Sequence, residues 1–329
     1  MNTMDPQSNP MPESSPDSRA NDSQKSDSPL NESQAIAPAV PSVTQLLYWS
    51  VRRELWENRS IYIAPLAVAA LFLFGFLISM IHFPSRMRAA SALDPMQQHE
   101  MIERPYHIAA LLLMATYLIV AVFYCLDALH GERRDRSILF WKSLPVSDLT
   151  TVLSKASIPF VVLPLLTFAI TVATQWTMLL WSTAVLAGSG VSSAMLWTQL
   201  PLFQMWLMVL YHLLAVHALY YTPIYAWLML VSAWARRAAF LWAGLPLLAI
   251  AVVEKIAFNT SYFASMLASR FSGGPEALHY PASSSAPMHS LTLLDVGIFL
   301  VSPGLWIGLA VAALFLAAAV RLRRYQGPI

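Results

Sequence analysis

The sequence predicts an all-α integral membrane protein with six transmembrane helices, and three observations carry that expectation. Charge is scarce: 12% of the 329 residues are Asp, Glu, Lys or Arg and 57% are hydrophobic, with a mean hydropathy of +0.54. A soluble domain carries about 25% charged residues. Apolar runs of roughly 20 residues, the length that crosses a hydrocarbon layer, recur along the chain. Lys and Arg gather in alternate connections, the pattern that fixes the orientation of membrane helices.

Residues 1–41 stand apart. They are rich in Ser, Pro, Asn, Asp and Gln and hold six acidic and two basic residues. Such a segment buries too little apolar surface to offset the entropy of ordering, so a disordered tail is expected. It lacks the basic start and apolar core of a secretory signal. Ser42 opens a different regime: Ser42 and Gln45 fit a capping box, and Leu47, Val51 and Leu55 recur at four-residue spacing. Arg52, Arg53, Glu54, Glu57 and Arg59 are the polar residues of this helix, with Trp49 and Trp56 suited to the headgroup region. An amphipathic helix along the inner membrane surface follows, with an ordinary juxtamembrane anchor as the plainer reading.

Six spans are expected at about 61–83, 106–126, 158–181, 202–234, 238–258 and 296–320, with a short tail at 326–329. A mixed-charge connection holding Arg86, Arg88, Asp94, Glu100, Glu103 and Arg104 joins the first two. From Ala156 to Ala235 there is no Asp, Glu, Lys or Arg, which accommodates two spans and a short connection. The fourth span is longer than one crossing needs, and Pro223 offers a kink. A Ser, Gly and Pro-rich connection then runs to Asp295. Arg52, Arg53 and Arg59, the basic residues from Arg133 to Lys155, Arg236 and Arg237, and Arg321, Arg323 and Arg324 fall on one side of this topology. Against them stand Arg86, Arg88, Arg104, Lys255 and Arg270. Both termini are therefore expected in the cytoplasm.

The polar segment between the second and third spans, 127–155, is the organising feature. Ile138 to Leu144 suits a short helix presenting Phe140, Trp141 and Leu144, which Pro145 ends. Ser147 can cap a second helix with Asp148 in its first turn. Glu132, Arg133, Ser137, Ile138, Leu139, Leu144, Pro145, Val146, Ser147 and Lys155 together resemble the first cytoplasmic loop of type 2 export-class ABC transporter permeases. Many members carry Gly-Thr-Leu where this chain has Ser137, Ile138 and Leu139. The resemblance implies a loop that docks on a separate ATP-hydrolysing subunit, with Glu132, Arg133 and Arg136 as polar contacts, Trp141 as apolar anchor, Leu144 presented beside it and Pro145 setting the loop's shape. It further implies that the amphipathic segment is an elbow helix, carrying Arg52, Arg53, Glu54 and Trp56, and that two permease units pair, as a homodimer or with a second permease. A bacterial-type inner membrane is the implied setting.

Chemistry of the chain's own is not expected. There is no G-x-x-x-x-G-K-[ST] phosphate loop, so ATP and Mg belong on the partner subunit and this chain is not an enzyme by itself. Cys125 is the only cysteine, which rules out an intramolecular disulfide. His212 and His217 are five residues apart, off a shared α-helical face, and read as satisfied polar groups rather than metal ligands. Glu254 and Lys255 read as a neutralised interfacial pair, Asp127 as a partner for Arg133 or Arg134, and Tyr220, Tyr221, Tyr225, Trp227 and Trp234 as either pathway lining or packing. Topology already accounts for the basic segments, so nucleic acid is not an expected partner. The function expected is the transmembrane subunit of an ABC exporter. An ion-coupled secondary transporter and a non-transporting membrane scaffold are the alternative classes.

Overall fold

The computed structural model describes residues 42–90, 94–139, 147–190, 192–271, 297 and 299–325. The tail 1–41, the loop positions Trp141, Leu144 and Pro145, most of the last long connection and the tail 326–329 lie outside them. Every regular element among the described residues is helical. Six stretches are long and apolar enough to cross a membrane: Ser60–Ala89, Pro95–Arg134, Asp148–Gly188, Leu202–Tyr220, Ala239–Phe258 and Pro303–Tyr325.

Helix α1 (Val43–Glu57) begins with the expected capping box: the Ser42 hydroxyl accepts from the Gln45 amide and the Gln45 side chain accepts from the Ser42 amide. Helix α2 (Ser60–Ser79) continues through a 3₁₀ turn, Met80–His82, into α3 (Phe83–Ala90). Helix α4 (Pro95–Asp127) starts eleven residues before the expected span, with Pro95 in its first turn, where a missing N–H costs nothing. Much of the mixed-charge connection is thus helical, and Glu103 is buried, 3.1 Å from His99 and 3.6 Å from His107. The short α5 (His130–Arg134) follows.

Ser147 caps α6 (Asp148–Ser157) by accepting from the Thr150 amide, as its position foretold. The third span then passes through a π-helical turn, Ile158–Val162, into α7 (Leu163–Gly188). After the short α8 (Ala194–Gln199), α9 (Leu202–Tyr211) runs into a second π segment, His212–Tyr220, and restarts as α10 (Thr222–Trp234). Pro223 lies in the first turn of α10, so the irregularity precedes the proline rather than centring on it. Helices α11 (Ala239–Phe258), α12 (Tyr262–Phe271) and α13 (Pro303–Tyr325) complete the order.

Helix α10 packs chiefly on α13 and α4, α2 on α4 and α7, and α1 on α6. The larger core joins Tyr117, Cys125, Leu213, Tyr225 and Met229 across α4, the second π segment and α10. A second, around Met178, Leu179, Leu186, Phe76 and Tyr106, joins α2, α4 and α7. Its polar centre is Gln175, which donates to the Tyr106 carbonyl and accepts from the Trp206 indole. Helix α11 buries only Ala239 and Ala243 and turns Leu245, Leu248, Ile250 and Val253 outward, a surface suited to lipid.

Two assignments at the far end of α11 come out differently from the sequence reading. Glu254 does not pair with Lys255; its carboxylate accepts from the Thr260 hydroxyl and the Tyr262 and Phe263 amides, capping α12. Residues 262–271, read as loop, are helical because that cap exists. Arg270 on α12 stacks 4.3 Å from the Tyr220 ring and donates to the Tyr220 and Gly304 carbonyls. The Arg270 guanidinium lies over Gly308, 2.6 Å from where a β-carbon would stand.

Candidate functional site

The base of the polar loop is a hydrogen-bonded hub between α5 and the end of α10. Helix α5 follows α4 almost without interruption, and the amides of Leu129 and His130 donate to the hydroxyl of Ser232, at 3.0 and 2.8 Å. Arg133 donates to the carbonyls of Ala233 and Ala235, and a His130 ring nitrogen lies 3.2 Å from the latter. The last carbonyls of α10 lack intrahelical partners, so a buried cation over them is favourable by about 0.3–2 kcal/mol. The loop base is thereby fixed to the end of the fourth span. Two residues beyond the end of α5, Arg136 takes a left-handed backbone (φ 57°) unusual for a residue with a side chain.

On the other side of α5, Glu132 enters a cluster of buried charges. Lys155 of α6 lies 2.7 Å from Glu54 of α1 and 3.2 Å from Glu132. Arg323, near the end of α13, pairs with Glu132 and lies 3.2 Å from Asp148. Glu54, Glu132, Lys155 and Arg323 are 3%, 8%, 3% and 4% exposed, so four charges have left water together. The Tyr124 hydroxyl of α4 donates to Glu54 at 3.0 Å, and the Asn58 side-chain amide approaches the same oxygen at 3.4 Å. Asp148, the third carboxylate against two cations, occupies the first turn of α6, where the helix dipole favours negative charge.

This geometry ties together α1, α4, α5, α6 and α13, and through Arg133 also α10. Charges taken out of water destabilise unless mutually paired, so each member holds the others in place. Among the described residues no three His, Cys, Asp or Glu side chains gather to hold a metal ion. The cluster's paired charges couple the loop base to the adjoining parts of α1, α6 and α13.

The expected site residues divide accordingly. Glu132 and Arg133 point into the protein and are committed to it, while Arg134, Asp135 and Arg136 are exposed at the loop base. Arg134 lies 3.2 Å from Asp135 and 3.9 Å from Asp127. On α1, Glu54 is buried, but Trp56 is 71% exposed and Arg52 stacks 5.2 Å from Trp49. Arg53 pairs with Glu57 one turn away. Asp148 and Arg323 were not singled out as site residues, nor was Lys155 as their partner. A signal existed: each charge occupies the buried phase of its helix. Glu54 is seven residues from Leu47, Lys155 is three from Val152, and Arg323 is four from Ala319.

A second polar contact lies within the spans. Tyr117 of α4, fully buried, donates to the Pro159 carbonyl at 2.7 Å and lies 3.3 Å from that of His217, so one hydroxyl bridges both π segments. Prolines supply the free carbonyls: Pro164 has no N–H to return to the turn containing Pro159, and Pro223 none to return toward Ala218. Tyr117 takes the first; the Thr222 hydroxyl donates to Ala218. The wider π turn also brings residues five apart together, so His217 stands 3.0 Å from the His212 carbonyl and against the Tyr117 and Tyr221 rings. Tyr220, Tyr221 and Tyr225 are buried in packing, Trp227 donates to the Ala243 carbonyl, and Trp234 meets Trp242 edge-on.

Comparison with family models, with curated proteins and with solved structures found no match to the chain.

Proposed function

We propose that this chain is the transmembrane subunit of an ATP-driven ABC exporter, with a separate ATPase subunit docking on the loop 131–155. The buried ion cluster carries the reading. A loop that only fixed topology would need basic residues, not attachment to α1, α6 and α13 by paired buried charges and to α10 by hydrogen bonds. An element that receives work needs that attachment, since force applied to a loosely held turn is lost before it reaches the spans. The loop resemblance supports the same assignment. In this reading Glu132 and Arg133 anchor the loop from within, and the exposed Arg136 with Trp141, Leu144 and Pro145 meets the partner. ATP and Mg act on that partner.

The accompanying architecture is an elbow helix α1 on the inner face of a bacterial-type cytoplasmic membrane, with both termini on that side. Two such subunits, identical or related, enclose the pathway between them.

Co-expression with a candidate ABC-type ATPase subunit from the same organism, followed by reconstitution, tests the proposal. Trp141→Ala is expected to weaken co-purification of the ATPase, or to leave ATP hydrolysis running without transport, at a cost of about 2 kcal/mol in docking, the scale of an aromatic anchor. Unchanged co-purification together with unchanged transport overturns the assignment.

A further inference from the structure

We infer that the cleft between the end of α1, the start of α2 and the first π segment is a binding site for one anionic phospholipid. The cleft measures about 500 Å³ and is lined by Leu55, Trp56, Arg59, Tyr62, Val162 and Leu166. Arg59 is its only charged lining residue and is exposed. It makes no ion pair among the described residues. The carboxylates on either side of it in sequence are engaged elsewhere: Glu57 pairs with Arg53 and Glu54 with Lys155. The cleft therefore offers one uncompensated cation and otherwise apolar and aromatic walls.

Those walls match a lipid in order as well as in kind. Arg59 immediately precedes the first spanning stretch, Ser60–Ala89, which sets its guanidinium at headgroup depth. Trp56 and Tyr62 flank it at the level where amphipathic rings settle in a bilayer. Val162 and Leu166, the next layer, belong to the third span and face an acyl chain. A zwitterionic headgroup carries its own cation beside the phosphate and leaves Arg59 uncompensated; an anionic headgroup does not. A bound lipid would rest against Val162 in the first π segment and beside α1, which Glu54 and Lys155 pin to α6. This inference requires only that the helices span a bilayer and does not depend on the transport assignment.

The test uses the purified full-length chain in detergent, with native mass spectrometry and thermal shift after addition of phosphatidylglycerol, phosphatidylcholine or inorganic phosphate. The wild type is expected to retain one phosphatidylglycerol in preference to phosphatidylcholine, and to be stabilised by it. Arg59→Gln should lower that preference about fivefold, the effect of one basic residue at a membrane surface. Arg59→Lys should keep most of it, and Leu166→Trp, which fills the cleft without touching its charge, should reduce retention of both lipids. Arg52→Gln, an exposed arginine of α1 outside the cleft, should behave as wild type. Equal retention of the two lipids by the wild type, no change in Arg59→Gln, or full stabilisation by inorganic phosphate alone overturns the inference. If Arg59→Gln proves unstable, Arg59→Lys and Leu166→Trp decide the matter between them.

Discussion

The two polar nodes of this bundle solve the same problem with different chemistry. At the loop end, five ionised side chains from four helices meet, and each is paired. Within the spans, where α4 meets the third and fourth, one neutral hydroxyl on Tyr117 bridges two backbone carbonyls. The contrast follows from what each medium tolerates. Near the membrane boundary a charge costs several kcal/mol to bury but binds its partner strongly, so a cluster there is rigid and every member is indispensable. In the hydrocarbon region a net charge is more expensive, and a hydroxyl that relieves a displaced carbonyl is the economical device. The first node resists deformation; the second closes two helical irregularities whose turns can be rearranged by one residue at small cost.

The largest effect tests the rigid node. Lys155→Met removes the cation between Glu54 and Glu132 and leaves two buried carboxylates short of a partner, at a cost of about 3–5 kcal/mol. The melting temperature in detergent should fall sharply. The double variant Lys155→Met with Glu54→Leu should recover most of the loss, because apolar replacement of both members of a buried pair is often close to neutral. A single variant that melts like the wild type would show that the cluster holds nothing together, and would remove the basis for calling it a transmission element.

A smaller effect is expected at the neutral node. Tyr117→Phe leaves the Pro159 carbonyl without a donor in an apolar setting, which costs about 1–3 kcal/mol. Since the bridge restrains two segments, hydrogen exchange should accelerate at 158–162 and 212–220 together while the ends of α4, α6 and α13 stay protected. Acceleration at one segment alone would mean that the π turns are independent, and the comparison would reduce to one rigid node and two unrelated bulges.

Much of the fold was readable before any coordinates, and the exceptions share a cause. Apolar length located six crossings, and the Ser42 and Ser147 caps declared themselves by residue type and spacing. The charge cluster was hidden because its members are distant in sequence, with Glu132 and Arg323 separated by 191 positions. Each alone looks like an ordinary polar residue; only its coincidence with the buried phase of an amphipathic helix sets it apart. The π segments were hidden differently. An α turn and a π turn differ by a one-residue shift in hydrogen bonding, and composition does not encode that shift. Here it is set by Pro164 and Pro223 acting on carbonyls upstream of themselves. Glu254 was misread because an adjacent Lys255 suggests pairing, whereas three donors from the following turn outbid one flexible ammonium.

The smallest expected effect makes the sharpest internal control, because Arg53 and Glu54 are neighbours on one helix. Arg53 forms an exposed pair with Glu57 at 2.7 Å, whereas the Glu54 carboxylate is buried against Lys155 at the same distance. Distance alone predicts equal contributions, and burial predicts unequal ones. An exposed pair four residues apart contributes about 0.3–0.5 kcal/mol, and salt screens it over a Debye length of about 3 Å at 1 M. Glu57→Ala should therefore shift the melting temperature barely, and the shift should vanish at high salt. Glu54→Ala should produce a shift several times larger that persists in salt, since it strands Lys155 rather than weakening a solvated contact. Equal, salt-sensitive shifts for the two variants would place Glu54 at the surface in solution, and α1 would then be an ordinary anchor lying free of the bundle.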